Sequence, residues 1–195
     1  MSDTLTLRPA TKADAPALAR LVDIAGEGIP RIVWAGMAEA GETIWDVGAR
    51  RAAREEGAFS YRNATIVDVD GAPAASLVGY SLSPFPEPVD LAGLPPMFRP
   101  LQELENRAPG TWYINILATF AEHRNRGLGA RLIAEARSLA RAAGCIQLSL
   151  IMQDANPAER LYLREGFHPA CRRPIVTEGD WRSPGKNWVL MIANV

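Results

Sequence analysis

Arg124-Asn125-Arg126-Gly127-Leu128-Gly129 is the stretch whose reading decides what this chain is. It follows the β-prone run Trp112-Tyr113-Ile114-Asn115-Ile116-Leu117-Ala118-Thr119. It leads into helical spacing of apolar or small residues at Leu128, Leu132, Ala136, Leu139, Ala140 and Ala143. Strand, glycine-containing turn and helix start together make the layout of an anion site. Two glycines let the backbone turn tightly and approach a ligand, and the first N–H groups of a helix lack partners. The charges point the same way. A helix N-terminus favours Asp or Glu, yet this one carries Arg124, Arg126 and Arg131 and no acid in its first turn. Cations at the positive end of a dipole are unfavourable unless an anion sits between them, so the stretch reads as a phosphate or pyrophosphate site. The plainer reading is a loop whose arginines point into water, with Asn125 as the N-cap.

Composition bounds the rest. With 195 residues and 48% hydrophobic content, one core and a single domain over residues 1–195 are expected. A net charge of −1 gives no general pull towards nucleic acid or an anionic membrane. Met1-Ser2-Asp3-Thr4 carries no export signal, and no apolar run approaches the roughly 20 residues that span a bilayer. Cys145 and Cys171 are too few for a disulfide framework, and with His123 and His168 they show no metal-ligand spacing. A cytoplasmic protein with reduced thiols and no bound metal is the simplest expectation.

Along the chain, Leu5–Pro9 reads as a strand, and Thr11 or Asp14 caps a helix with Leu18, Leu21, Val22 and Ala25 on its apolar face. Gly26 to Pro30 breaks that helix. A second helix is predicted within residues 32–40 and a third over about 43–56. Ala64–Gly71 and Ala74–Leu82 form a hairpin on an Asp70-Gly71 turn. Pro84, Pro86, Pro88, Pro95, Pro96 and Pro100 then mark a connection that is no central strand, with a short helix at 101–105. That segment suits a lid, a homodimer contact or a plain excursion beside an acceptor site. After the long helix, Gly144 acts as a stop, 145–152 is a strand, and Asn156-Pro157 opens a helix to about Glu165. Strands at Phe167 and at 187–192 follow. The order implies an α/β fold with a mixed sheet and helices on both faces.

Arg124-x-x-Gly127-x-Gly129 resembles the Arg/Gln-x-x-Gly-x-Gly/Ala signature of the GCN5-related N-acetyltransferases (GNAT). Leu161-Tyr162-Leu163-Arg164-Glu165-Gly166-Phe167 is similar to that family's Leu-Tyr-x-x-x-Gly-Phe ending. The resemblance runs most clearly from Trp112 to Phe167. It implies the GNAT fold, in which two adjacent parallel strands splay apart, and acetyl-CoA as cosubstrate. By that resemblance the pyrophosphate lies on the N–H groups of Arg124, Asn125, Arg126, Gly127, Leu128 and Gly129, with Arg124 and Arg126 as charge partners. The pantetheine arm pairs with the backbone of Leu117, Ala118 and Thr119, and the N–H near Thr119 polarises the acetyl carbonyl. Tyr162 takes the place of the family tyrosine, the acid for the leaving thiolate. Asn156 stands six positions before it rather than the family's seven, so it serves as a pantetheine contact or as a helix cap.

The general base is the gap. No carboxylate lies between Thr111 and Ala121, where family members often carry a Glu. Tyr113 or Asn115 orienting a water, or Glu105 through water, are the replacements to consider. In the segment after the first helix, which lines the acceptor pocket by resemblance, Trp34, Met37 and Trp45 are candidate walls. Glu27, Glu39, Glu42 and Asp46 are candidate attractors of an amine, against the plainer view of core anchors and solvated acids. The chain is thus expected to acetylate a small-molecule or peptide amine. The rivals are a module that keeps acyl-CoA as a structural or sensory ligand, and a pure interaction domain. A P-loop lacks its Gly-Lys-Ser/Thr, and Leu132 stands where a dinucleotide fold needs its third glycine.

Overall fold

In a computed structural model of the protein, which describes residues 3–86, 88 and 90–195, seven strands form one mixed sheet. They are β1 (Leu5–Pro9), β2 (Ala64–Val69), β3 (Ala72–Ser81), β4 (Trp112–Thr119), β5 (Gln147–Gln153), β6 (His168–Pro174) and β7 (Asn187–Asn194), in the order β1-β2-β3-β4-β5-β7-β6. The helices are α1 (Ala15–Ala25), α2 (Ile29–Ala35), α3 (Ile44–Ala52), α4 (Arg99–Glu105), α5 (Leu128–Ala142) and α6 (Glu159–Arg164). Met1-Ser2 and, in the Pro-rich connection, positions 87 and 89 lie outside the described residues. Among the described residues, no helix is long and apolar enough to cross a membrane. The chain divides into two compact units, one of residues up to Gly79 with Asn115–Leu132, the other of Tyr80–Ile114 with Ile133–Val195.

In the first unit, Leu18, Leu21, Trp34, Val47, Ile66, Val78, Ile116 and Ala118 form one buried cluster. Removing these apolar side chains from water is the main stabilisation here, about 1.5–3 kcal/mol for each large one. Arg8 ties the edge together. Its guanidinium makes two 2.8 Å bonds to Asp14 and a 2.6 Å bond to Asp68 on β2, while the Thr11 N–H donates to Asp14 at 2.7 Å. Thr11 and Asp14 therefore act together at the entry to α1, through a short 3-10 turn at Lys12–Asp14. Asp70 (φ 51°) and Gly71 (φ 83°) make the β2–β3 turn with both residues left-handed, the geometry that matches strand twist.

Two helix limits differ from expectation. α2 starts at Ile29, because left-handed Gly28 (φ 85°) ends the break and Pro30 fits the first turn, where its missing N–H costs nothing. α3 starts after Thr43, whose Oγ1 accepts the Asp46 N–H at 3.2 Å, and closes at Ala52 rather than 56.

In the second unit, Leu104, Ile133, Leu148, Leu190 and Met191 are fully enclosed or nearly so. β5 pairs in parallel with β4 over Trp112–Ile114 against Leu148–Leu150, and antiparallel with β7 along its whole length. The parallel ladder thus covers only the first three residues of β4. α5 ends as its glycine requires: Gly144 is left-handed (φ 75°), and the Cys145 N–H reaches back to the Ala140 carbonyl at 2.9 Å. That reversal leaves Ile146 80% exposed and starts β5 at Gln147, two residues later than expected. α6 is shorter than expected at both ends; Arg137 caps it by donating to the Glu165 carbonyl.

Candidate active site

The first unit carries the glycine turn. β4 ends at Thr119, and the Phe120 N–H is fixed to the Ala74 carbonyl at 2.9 Å. A 3-10 turn at Ala121–His123 follows, and then Asn125 (φ 60°) and Gly127 (φ 78°) both take left-handed conformations. Asn tolerates this region better than other side chains, and Gly enters it freely. Backbone that alternates between right- and left-handed residues can gather its N–H groups into an anion-binding concavity. Leu128 anchors the bend, 1% exposed, while Arg124, Asn125, Arg126 and Gly127 are on the surface. The Arg131 N–H is bonded to the Gly127 carbonyl at 3.2 Å. Among the described residues, the N–H groups from Asn125 to Ala130 have no backbone acceptor. The helix dipole adds positive potential at the same point.

The arginines divide. Arg124 turns back along β4 and donates from Nε to the Thr119 carbonyl at 3.3 Å, which joins the turn to the strand end. Arg126 pairs with Asp3 and donates to His123 Nδ1 at 3.0 Å, so an anion would have to draw it away from a carboxylate. Arg131 is exposed on α5. On β4, Ile116 and Ala118 point into the core cluster, and Asn115, Leu117 and Thr119 alternate with them on the other face, half-buried. Leu117, Ala118, Thr119 and the Arg124–Gly129 turn are therefore held in one unit.

Of the acceptor-side candidates, Trp34 is a core anchor. It is 2% exposed, stacks on Phe59 with centroids 6.2 Å apart, and meets Trp45 edge-on at 6.4 Å. A side chain on Gly48 would come within 2.7 Å of its ring. Trp45 carries the Arg20 guanidinium 4.6 Å over its ring. Glu42 is taken by Arg50, and Asp46 bonds the Thr43 N–H at 2.8 Å as a helix cap. Met37 is 39% exposed beside Arg51. Glu27 is different. It is half-buried in a left-handed conformation (φ 50°) between α1 and α2, and burial pushes its carboxyl above the usual range.

The second unit holds Tyr162 and Asn156. Tyr162 on α6 is 6% exposed and packs edge-on against Phe167 at 5.8 Å; the Phe167 N–H bonds its carbonyl at 2.9 Å. The Leu-Tyr-x-x-x-Gly-Phe run thus folds as a helix end in which left-handed Gly166 (φ 83°) returns Phe167 onto the tyrosine. Asn156 Oδ1 accepts the Ala158 N–H at 2.8 Å, an Asx turn that leads into α6, whose N-cap position is Ala158.

Glu105, at the end of α4, accepts a hydrogen bond from Tyr80, whose ring meets Tyr113 edge-on at 5.8 Å. Burial first, and then the Glu105 charge, raise both phenols well above their ordinary values. Tyr80 had no mark in the sequence as a site residue, because nothing local links it to a glutamate 25 positions away.

The sequence model of the acetyltransferase (GNAT) family matches residues 42–167, more than half of the chain. No curated protein sequence matches it. Among solved structures, an acetyltransferase superposes with a TM-score of 0.68 at 22% identity, over 97% of this chain and 99% of that one. Ard1 from Thermoplasma volcanium gives 0.61 at 18%, covering 98% and 97%. A GNAT family acetyltransferase from Elizabethkingia anophelis with acetyl-CoA bound gives 0.60 at 14%, covering 100% of both. At these identities the structures speak for the fold, and the family match speaks for descent. The chain has the GNAT fold, belongs to the GNAT acetyltransferase family, and is an acyltransferase.

Proposed function

We propose that residues 1–195 act as one cytoplasmic N-acetyltransferase domain that moves the acetyl group of acetyl-CoA directly to a primary amine within a ternary complex. The observation that carries this reading is the bend from Arg124 to Gly129, which holds Arg124 and Arg126 and whose N–H groups from Asn125 onward have no backbone acceptor among the described residues. A diphosphate suits it in charge and in geometry. In this reading Arg124 orders the bend through Thr119 and faces the diphosphate, and Arg126 joins it by leaving Asp3. Leu117, Ala118 and Thr119 offer main-chain partners to an extended arm, and Asn156 offers it a side-chain amide.

Chemistry then asks for a proton acceptor, an oxyanion donor and a proton donor. We assign the first to Glu27, whose desolvated carboxylate is a stronger base than an ordinary one. The Thr119 N–H faces the carbonyl oxygen. The amine nitrogen forms its bond to the acetyl carbon, the carbon–sulfur bond breaks, one amine proton goes to Glu27, and the Tyr162 hydroxyl protonates the departing sulfur. Steady thiol release from acetyl-CoA with a panel of primary amines tests the reading. Tight binding of acetyl-CoA with no release for any amine would favour a sensor instead, and no binding at all would favour an interaction domain.

A further inference from the structure

Gln153 and Trp188 stand opposite each other in the antiparallel β5–β7 ladder, so their side chains rise from the same face of the sheet. Both are enclosed, 0% and 6% exposed, and each carries an N–H donor, Gln153 Nε2 and Trp188 Nε1, with no acceptor among the described residues. The rest of the Gln153 amide is well served. Its Oε1 accepts from Ser183 Oγ at 2.5 Å and from the Gly185 N–H at 3.3 Å. The Gly185 N–H sets the orientation of the amide, since exchanging O and N would put N–H against N–H there, whereas the Ser183 hydroxyl can serve either way. Gly185 fits only without a side chain: a Cβ there would lie 2.7 Å from Asp154 Oδ1 and 3.2 Å from Gln153 Cβ. The Lys186 N–H and Asn187 Nδ2 hold Asp154 at 2.8 and 2.9 Å. A strap from Trp181 to Asn187 is thus clasped to the end of β5 by polar bonds, and the clasp turns Nε2 away from itself.

An enclosed donor without an acceptor destabilises a fold, and native structures retain few of them. Here two occur on facing residues of one register, and a single oxygen with two lone pairs would satisfy both. Trp181 stacks parallel to Trp188, with centroids 6.4 Å apart and planes within 4°, and adds an aromatic wall. The donors are neutral. Asp154 directly follows Gln153, and its bonds to Asn187 and Lys186 keep its carboxyl ionised, which disfavours a second anion beside it.

We propose that Gln153 Nε2 and Trp188 Nε1 form a subsite for an uncharged carbonyl oxygen, of the carboxamide or peptide kind, carried by the acceptor amine and admitted when the Trp181–Lys186 strap lifts. Naming the ligand as the acceptor rests on the acetyltransferase reading; the binding itself does not.

The probes are L-phenylalaninamide and phenethylamine, which share a ring and a primary amine and differ by the carboxamide. In the full chain labelled with 15N-tryptophan, with the indole signal of Trp188 assigned by Trp188→Phe, L-phenylalaninamide moves that N–H signal downfield in a saturable way. Phenethylamine does not. A Trp188 signal that stays in place with saturating carboxamide overturns the subsite, even if the enzyme acetylates amines; movement without any acetylation keeps the subsite and removes the acetyltransferase reading. In turnover, Trp188→Phe raises KM for L-phenylalaninamide about fivefold to tenfold, the loss of one hydrogen bond. It leaves KM for phenethylamine in place. An equal change for both amines, or a fall in the midpoint with no change in KM, assigns the pair to packing alone and overturns the proposal.

Discussion

Arg124 Nε donates to the carbonyl of Thr119 at 3.3 Å, so the residue that opens the glycine turn is bonded to the last residue of the strand before it. The bond sets the spacing between the turn and the strand end, the two parts proposed to meet an acyl-CoA. Arg124→Met keeps the bulk and removes both the bond and the charge. KM for acetyl-CoA is expected to rise at least about tenfold, the loss of a hydrogen bond made by a charged group, with a smaller effect on kcat. Initial rates at varied acetyl-CoA check this, and an unchanged KM would remove Arg124 from the binding role.

Gly127 holds φ 78°, a region that costs an L-residue about 1–2 kcal/mol, although its missing Cβ meets no neighbour. Gly127→Ala should therefore lower stability by roughly that amount and weaken acetyl-CoA only modestly. Gly127→Asp adds a negative charge where a diphosphate is proposed to sit, and calorimetric titration should show binding abolished. If the Asp variant binds as tightly as wild type, the anion lies elsewhere.

Tyr162→Phe preserves the ring that packs against Phe167 and removes only the hydroxyl. The expected outcome is a kcat lower by about 10–100-fold with acetyl-CoA affinity and thermal midpoint unchanged. An undiminished turnover would mean that another group protonates the sulfur.

As the proposed base, Glu27 would link pH to both rate and stability. Burial raises its folded pKa above the ordinary glutamate value, so the folded chain holds the proton more tightly than the unfolded one. The resulting penalty is absent below the unfolded pKa and complete above the folded one. Glu27→Gln should thus raise the thermal midpoint at pH 7, with the gain vanishing as pH falls below the ordinary glutamate range. In the same variant the acidic limb of the kcat/KM profile should disappear together with most of the rate. A variant that keeps that limb would clear Glu27 of proton transfer.

Asp14 has the opposite sign. Arg8 first, and then the Thr11 N–H and hydroxyl, bring its pKa down from 3.8 to about 2. The stabilisation is complete above the unfolded value and is lost as pH falls through about 2. Asp14→Asn should cost about 1–2 kcal/mol at neutral pH, a figure already reduced for the solvent that reaches Arg8. Urea unfolding at pH 7 and near pH 2 should show that difference shrinking to nothing.

The turn, its strand and its helix were legible because each depends on neighbours in sequence: Gly127 supplies a conformation, Leu128 and Leu132 supply a period, and Gly144 supplies a stop. The same locality explains the hairpin at Asp70-Gly71. Limits that depend on tertiary packing were not legible. β5 begins at Gln147 because the reversal after α5 consumes Cys145, and α2 begins early because Gly28 absorbs the strain of the break. Trp34 was open to core and to pocket wall, with the core the plainer reading, and its place against Gly48 and Phe59 decides for the core. The Arg126–Asp3 pair and the Tyr80–Glu105 bond join residues too distant along the chain for any spacing rule to link them.

The close seat of Trp34 on Gly48 also bears on how this enzyme can diversify. With an indole filling the space where a side chain at position 48 would begin, neither partner can grow without a shift of α2 against α3. Under the acceptor role proposed for this segment, variation would fall to exposed Met37 sooner than to Trp45, whose ring meets Trp34 edge-on.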